Sequence, residues 1–282
     1  MRILRTLLLI LFLITAAVFG INQYLLYKDR DNVAPVISSS EEVLHLSVKS
    51  KDKDLLKGVS AEDDRDGNVT STLVIAGKSN FIEEGVIRVD YAAFDSHNNV
   101  GTYNRRVVFD DYHSPRFSSK TPLVLRFESS YDFSFFQAED VLDGDISNKI
   151  KILSDTYTTT SSAEYPIEME VTNNYGDVEK LNLVMDVLTS TEYNRMYPAL
   201  SDYIIYIPVG AEEVDYASYI TGIRRGDKLL EFEETKYDVG DIDIEDYVDY
   251  NTPGKYTVVF SLWQSYTLTT ETKMVVIVTE DF

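Results

Sequence analysis

The feature that most constrains this chain is an internal repeat in its acidic middle region. Residues 61–70, Ala-Glu-Asp-Asp-Arg-Asp-Gly-Asn-Val-Thr, align without gaps with residues 138–147, Ala-Glu-Asp-Val-Leu-Asp-Gly-Asp-Ile-Ser, and five of the ten positions are identical. Further on, residues 85–99 align with residues 163–177, and a weaker third copy starts at Gly254. The repeat predicts that the chain is built from several copies of one structural unit.

Each copy contains a run in which apolar residues recur at every second position. The run begins at Ile87 in the first copy, at Tyr165 in the second and at Tyr256 in the third. Period-two alternation of this kind is typical of half-buried antiparallel strands. A turn cluster and a second apolar strand follow each run, and helical periodicity is nearly absent after residue 27. We therefore predict an all-β fold of tandem Ig-like β-sandwich domains.

The N-terminus predicts a membrane anchor in front of these domains. Residues 6–27 carry no charge, and these 22 residues are enough to cross a bilayer as a helix. Arg2 and Arg5 precede the apolar run, so the positive-inside rule places the N-terminus in the cytoplasm and the domains outside the cell. The alternative is a signal peptide cleaved near residue 17 or 20, which would leave a secreted protein.

The repeat boundaries and the apolar run together give a predicted domain order. It consists of a signal anchor or transmembrane helix over 1–27, a linker over 28–34, and Ig-like domains over 35–112, 113–188 and 189–282. The third domain is the divergent one, because it lacks the acidic first motif of the other two.

Composition and missing motifs exclude several classes of function. With 26 Lys and Arg against 47 Asp and Glu, the net charge of −21 repels nucleic acid. A hydrophobic content of 44% is too high for a disordered acidic protein, and the absence of cysteine excludes disulfides and thiol chemistry. His45, His97 and His113 lie outside any metal-binding spacing, and no hydrolase, zincin or nucleotide-binding motif occurs. We predict no enzymatic activity.

The repeated pattern resembles a known family. Ala-x-Asp-x-x-Asp-Gly-Asp-Ile-Thr, then Gly-x-Tyr-x-Val-x-Tyr-x-Ala-x-Asp and Arg-x-Val, resembles the bacterial Ig-like repeats of the DUF5011 type, which are similar to hyalin-repeat and cadherin-like surface modules. The resemblance covers residues 35–188 and, less specifically, 190–282. It implies an Ig-like sandwich and an extracellular location, but no particular ligand. The first-copy residues that match are Ala61, Asp63, Asp66, Gly67, Val69, Thr70, Gly85, Val89, Tyr91, Ala93, Asp95 and Arg106. The second copy departs from the pattern at Ala163 and Asn173.

The acidic loops are the first candidate functional sites, because carboxylates are hard oxygen ligands for Ca²⁺. The alternative is structural: the Asp-Gly pairs at 66–67 and 143–144 form turns in which Asp caps backbone N–H groups and Gly takes a positive φ. Both interpretations remain open from the sequence, and no other cofactor is indicated. The candidate ligands are Asp63, Asp66 and Asp95 in the first copy and Asp140, Asp143 and Asp145 in the second.

Two aromatic residues are the second candidate. Phe94 and Trp263 occupy equivalent outward-facing positions, where a ring can bind a sugar or a protein, or can be buried at a domain junction. We predict a membrane-anchored extracellular array that acts as a non-enzymatic adhesion, scaffold or interaction module of the bacterial cell envelope. Its expected partner is a cell-surface protein or glycan. The alternative function is a carbohydrate-binding accessory of a cell-wall or polysaccharide system.

Overall fold

A computed structural model describes residues 2–28, 31–128, 133–154 and 162–280 of the chain. It begins with helix α1, Arg2–Lys28. Within the described residues, one helical stretch, Ile3–Leu25, is long and apolar enough to cross a membrane, and none of it is buried. An anchor and a signal sequence both have this length and composition. Residues 29 and 30 of the predicted linker lie outside the described residues.

The first group of strands forms two sheets, with strand orders β1-β3-β4 and β2-β7-β6-β5. Strand β6 carries the first alternating run, in which Val89 and Tyr91 are fully buried. Most of these strands belong to a compact unit, unit 1, which comprises residues 1–46, 50–79 and 87–108. The strands are β1 Val36–Ser39, β2 Val43–Leu46, β3 Val59–Asp63, β4 Gly67–Asn68, β5 Val74–Lys78, β6 Val86–Phe94 and β7 Val100–Phe109.

The second group repeats this arrangement, with sheets β8-β10-β11 and β9-β14-β13-β12. Strands β13 and β14 form a long antiparallel hairpin in which Tyr165 pairs with Met185. The strands are β8 Arg116–Ser119, β9 Val124–Arg126, β10 Phe136–Asp140, β11 Gly144–Asp145, β12 Lys151–Ile152, β13 Ala163–Thr172 and β14 Val178–Leu188.

The third group follows a one-turn helix, α2 Ser190–Tyr193, and forms sheets β15-β17-β18 and β16-β21-β20-β19. It shares unit 2 with the second group, because this unit comprises residues 47–49, 80–86 and 109–282. The strands are β15 Met196–Leu200, β16 Ile204–Pro208, β17 Ile220–Arg225, β18 Lys228–Leu230, β19 Ile242–Asp246, β20 Gly254–Ser265 and β21 Leu268–Thr279.

The alternating runs point into the cores of the sandwiches. Met169 on β13 and Val258 and Phe260 on β20 are fully buried, as the period-two pattern predicts. The predicted all-β class with sandwich-like sheets and an N-terminal apolar helix is therefore confirmed. The division into three domains stays a prediction: there are three pairs of sheets in the described residues but two compact units.

The structure contains two parallel strand pairings that the alternating sequence pattern did not predict. Strand β9 pairs with β14 in the parallel sense, and β16 pairs with β21 in the same way. In each case the chain leaves one sheet after its first strand, β8 or β15, and continues into the other sheet. Strand direction at such an edge depends on the path between the sheets, which is a long-range property that side-chain periodicity does not encode.

We predict that Met169→Asp unfolds unit 2, because it buries an unpaired charge at a position with no solvent access. The expected loss is about 3–5 kcal/mol in the free energy of unfolding, measured with urea. The control is Val178→Asp in the same hairpin, where the side chain is exposed and the stability should hardly change. Equal stabilities of the two variants would contradict the assigned inward face.

Candidate metal centre

In the first repeat, the buried carboxylate of Asp63 fixes the backbone of the acidic loop. Strand β3 ends at this residue and pairs back onto β4 through a turn in which Gly67 has a φ of +69°. Asp63 Oδ1 accepts the backbone N–H groups of Arg65 at 3.0 Å and Asp66 at 2.9 Å. These two bonds fix the carboxylate and leave its Oδ2 outside the turn, where it has no hydrogen-bond partner among the described residues.

Asp95 organises the turn between β6 and β7 in the same way. Its Oδ1 accepts the N–H groups of His97 at 2.9 Å and Asn99 at 2.7 Å, and its Oδ2 accepts the Asn99 side-chain amide at 2.6 Å. Burial acts to raise the pKa of Asp95, but the hydrogen bonds from Asn99 and His97 outweigh it and hold the pKa below its ordinary value. Asp95 is therefore a carboxylate rather than a carboxylic acid at neutral pH.

Asp31 enters the same place from the segment that precedes β1. Its Oδ1 accepts the N–H of Val33 at 3.0 Å, and its carbonyl oxygen accepts the Asn99 amide at 3.2 Å. Our sequence candidates did not include Asp31, because it lies outside both aligned motifs. The available signal was its spacing: Asp31 stands four residues before Pro35, as Asp111 stands before Pro115.

These three aspartates form the cluster that we call the Asp31 triad. One carboxylate oxygen from each of Asp31, Asp63 and Asp95 lies within 4.8 Å of those from the other two. Their exposed fractions are 5%, 7% and 7%, and the Oδ2 atoms of Asp31 and Asp63 have no hydrogen-bond partner among the described residues. Arg65 Nε forms a long ion pair of 3.9 Å with Asp31 Oδ2, a distance too long for a hydrogen bond. The triad can hold a cation that prefers oxygen ligands.

Asp66, another sequence candidate, is not part of the triad. It is exposed, and its two oxygens accept the backbone N–H of Ser96 at 2.6 Å and the Ser96 hydroxyl at 3.0 Å. Asp66 therefore joins two turns of unit 1 by hydrogen bonds, which is a structural role.

The second repeat has the same backbone arrangement but a different chemistry. Asp140 Oδ1 accepts the N–H groups of Leu142 and Asp143, both at 2.9 Å, as Asp63 does in the first repeat. Asn173 takes the position of Asp95, and its side-chain nitrogen donates to Asp140 Oδ2 at 3.0 Å. The same nitrogen donates to the Tyr112 hydroxyl at 3.0 Å. In the second repeat an amide nitrogen therefore lies beside Asp140, at the position where the first repeat has the Asp95 carboxylate beside Asp63.

The remaining second-copy candidates point elsewhere. Asp143 accepts the backbone and side-chain N–H groups of Asn174, at 2.6 and 3.1 Å, and lies 3.5 Å from Lys149 Nζ. Asp145 accepts the hydroxyl and the N–H of Ser147, and these bonds lower its pKa. Among the described residues, the carboxylates of Asp140, Asp143 and Asp145 therefore do not converge on one point. Gly144 has the φ of +71° expected of a turn glycine. Calcium binding by the six predicted aspartates stays a prediction. Of the six, Asp63 and Asp95 belong to the group of converging carboxylates in the described residues.

The two candidate aromatics differ in accessibility. Trp263 on β20 is 58% exposed, and its indole N–H donates to Asp243 Oδ2 at 2.8 Å. Phe94, at the end of β6, is 37% exposed. The two residues belong to different compact units. Trp263 therefore presents an open ring held by one hydrogen bond, whereas Phe94 presents a smaller surface.

Unit 2 contains a cavity that no sequence motif indicates. It has a volume of 270 Å³ and is lined in part by Lys120, Tyr193 and Arg224. Arg224 is buried, its guanidinium lies 5.2 Å from the ring of Tyr193 and 4.9 Å from that of Tyr197, and it donates to the Gly226 carbonyl oxygen. These contacts hold the cation against two aromatic rings, while its Nε has no hydrogen-bond partner among the described residues.

Comparison with known proteins gives distant likenesses. No family model matches the chain. The chain is similar to the pesticidal crystal protein Cry22Aa of Bacillus thuringiensis, with 26% identity over 214 residues, which is 72% of this chain and 27% of that protein. The chain thus spans about a quarter of the length of this curated relative.

Two solved structures show a similarly distant likeness. The CBM51-2 and INT domains of Clostridium perfringens ZmpB, in complex with GlcNAc, are 19% identical, with 55% of this chain and 42% of that chain covered and a TM-score of 0.22. The extracellular domain of protocadherin GammaB4 is 11% identical, with 89% and 50% covered and a TM-score of 0.21. Likeness at this level does not assign a function to this chain.

The hydrogen-bond network of the second repeat gives a testable prediction. Besides accepting from Asn173, the Tyr112 hydroxyl donates to Asp177 Oδ2 at 2.5 Å. Removing it in Tyr112→Phe leaves both partners short of a bond, so the free energy of unfolding of unit 2 should fall by about 1–3 kcal/mol. Tyr247→Phe is the control, because that side chain is 79% exposed. Unchanged urea midpoints for both variants would show that the network contributes nothing.

Proposed function

We propose that this chain is a membrane-anchored, non-enzymatic binding array of the bacterial cell envelope, with its β-sandwiches outside the cell. The observation that carries the proposal is the apolar helix Ile3–Leu25, none of which is buried against the part of the chain that the structure describes. At about 1.5 Å per residue its 23 residues extend about 35 Å, enough for the bilayer core of about 30 Å. Arg2 and Arg5 on its N-terminal side favour a cytoplasmic N-terminus.

The β part supports a binding role rather than catalysis. The acidic side chains of the two loops are engaged in turns, caps and the Asp31 triad, which are structural or cation-holding arrangements. The equivalence of the two loops, down to the same pair of bonds on Asp63 and Asp140, supports placing the chain among bacterial Ig-like repeats of the DUF5011 type. In such an array we expect adhesion or scaffolding through a cell-surface protein or glycan.

The topology is tested by adding protease to intact cells or protoplasts that express the full chain. The β-sandwiches should be degraded from outside, while the N-terminal helix remains in the membrane fraction. Protease-treated lysed cells are the control for intrinsic susceptibility. Two results would contradict the proposal: protection of the domains in intact cells, or a mature N-terminus near residue 18 or 21 on a released protein.

A carbohydrate-binding role is the second candidate, and the exposed ring of Trp263 favours it. A flat aromatic surface beside the carboxylate of Asp243 offers a sugar both a stacking face and a hydrogen-bond acceptor. Trp263→Ala in the full chain should then weaken binding to purified cell-wall polysaccharide about two- to tenfold. Tyr247→Ala, which removes another exposed ring, is the matched control. Equal binding by wild type and both variants would remove this candidate.

A further inference from the structure

We infer that one Ca²⁺ ion binds the Asp31 triad and fastens the segment after the anchor to the first sandwich, while the second repeat has replaced the ion with an amide. This inference uses the proposed function only for the calcium supply outside the cell. Metal binding is measured on the purified protein, so its failure is separate from a failure of the proposed topology.

The described residues do not balance the charge of the triad. Three buried carboxylates meet, and the Oδ2 atoms of Asp31 and Asp63 accept no hydrogen bond from the described residues. Arg65 forms one long ion pair with Asp31, 3.9 Å from Nε to Oδ2, through a side chain that is 44% exposed, so it offsets at most one of the three negative charges. Buried carboxylates are stable when they are paired, hydrogen-bonded or bound to a metal. Carboxylate oxygens that face one another without hydrogen-bond donors therefore point to a cation as the missing partner.

The coordination geometry decides which cation fits. The triad oxygens lie within 4.8 Å of one another, so one ion can contact all three. Calcium accepts irregular sets of six to eight oxygens that include water, while magnesium requires a near-ideal octahedron. Three carboxylates from three separate segments suit the less demanding ion.

The second repeat provides an internal comparison for the turn that carries Asp95. Asn173 Oδ1 accepts the N–H groups of Tyr175 and Asp177, as Asp95 Oδ1 accepts those of His97 and Asn99. The turn is therefore the same, and what changes is the inward group. In the second repeat that group is an amide nitrogen, which donates to Asp140. This N–H donor gives Asp140 Oδ2 the hydrogen bond that Asp63 Oδ2 lacks in the first repeat.

The third ligand also differs between the repeats. Asp111 has the spacing of Asp31 relative to the following proline, but its carboxylate accepts the Ser47 hydroxyl at 2.6 Å and the Val48 N–H at 2.7 Å. Its carboxylate is thus engaged outside the Asn173 network. We therefore assign one calcium ion per chain, at the Asp31 triad.

The position of Asp31 gives the ion its role. Asp31 follows the end of α1 by three residues, whereas Asp63 and Asp95 belong to the loops of the sandwich. A cation shared by all three joins the segment before β1 to both loops. We expect this segment to become ordered when calcium binds and to loosen when calcium is removed.

The test uses the full chain in detergent micelles, titrated with CaCl₂ or MgCl₂ at matched ionic strength in a calorimeter. We expect one Ca²⁺ per chain with a Kd between about 10⁻⁴ and 10⁻³ M, the range of extracellular modules, and much weaker binding of Mg²⁺. Asp31→Asn and Asp95→Asn should each weaken calcium binding at least about tenfold, because each removes a charged ligand. Asp66→Asn changes the acidic loop of the first repeat outside the triad, and Asp143→Asn changes the equivalent loop of the second repeat. Both variants should bind calcium like the wild type.

A second measurement tests whether calcium attaches the segment before β1 to the first sandwich. Amide hydrogen exchange in residues 31–36 should slow about tenfold or more when calcium is added to the wild type, and should not respond in Asp95→Asn. This variant imitates the second repeat, so it should remain folded without calcium. If it unfolds, Asp31→Asn, which lies before the first strand, provides the same comparison. The inference is overturned by no calcium binding, by equal responses to Ca²⁺ and Mg²⁺, or by an effect of Asp66→Asn as large as that of Asp95→Asn.

Discussion

A carboxylate that leaves water needs a positive charge or hydrogen-bond donors at both oxygens, and this requirement shapes both acidic repeats. In each repeat one oxygen of a buried aspartate, Asp63 or Asp140, accepts two backbone N–H groups and so fixes the loop. The second oxygen points inward, toward the turn between the two long strands. The side chain that this turn carries, an amide or a carboxylate, decides whether the second oxygen has a hydrogen-bond donor from the protein.

The two repeats meet the requirement in different ways. In the second repeat Asn173 donates to Asp140 and to Tyr112, so the network closes with protein groups alone. In the first repeat Asp95 brings a further negative charge, and Asp31 adds another. The residue at this position of the turn, Asp or Asn, thus separates a loop closed by its own hydrogen bonds from one whose carboxylate oxygens lack donors. We therefore expect calcium dependence only in the first sandwich and in the segment that follows α1.

The sequence predicts the fold well because the signals for it are local. Alternation along a strand reports directly which side chains face the core, and Val89, Met169 and Phe260 are all buried. The acidic motif likewise predicts its turn, since Gly67 and Gly144 both have positive φ. The parallel edge pairings were not predictable, because they depend on how the chain passes between sheets.

The candidate site was only partly predictable, for a related reason. Asp63 and Asp95 belong to the repeated motifs, but Asp31 comes from a segment 32 positions before Asp63, and only the folded chain brings it there. Asp66 is shared with the second repeat as Asp143, and both residues serve the backbone of a neighbouring turn. Residues that are identical in the two copies indicate the loop geometry that they share. The position at which they differ, Asp95 against Asn173, indicates the candidate metal site.

Anomalous diffraction from crystals of the protein grown with Tb³⁺ in place of Ca²⁺ tests directly whether a cation binds the Asp31 triad. We expect one strong peak per chain, within about 2.6 Å of carboxylate oxygens from Asp31, Asp63 and Asp95. We expect no peak beside Asn173. A peak at Asp143 or Asp145 with none at the Asp31 triad, or no bound ion at all, would contradict the claim that a cation completes the first repeat.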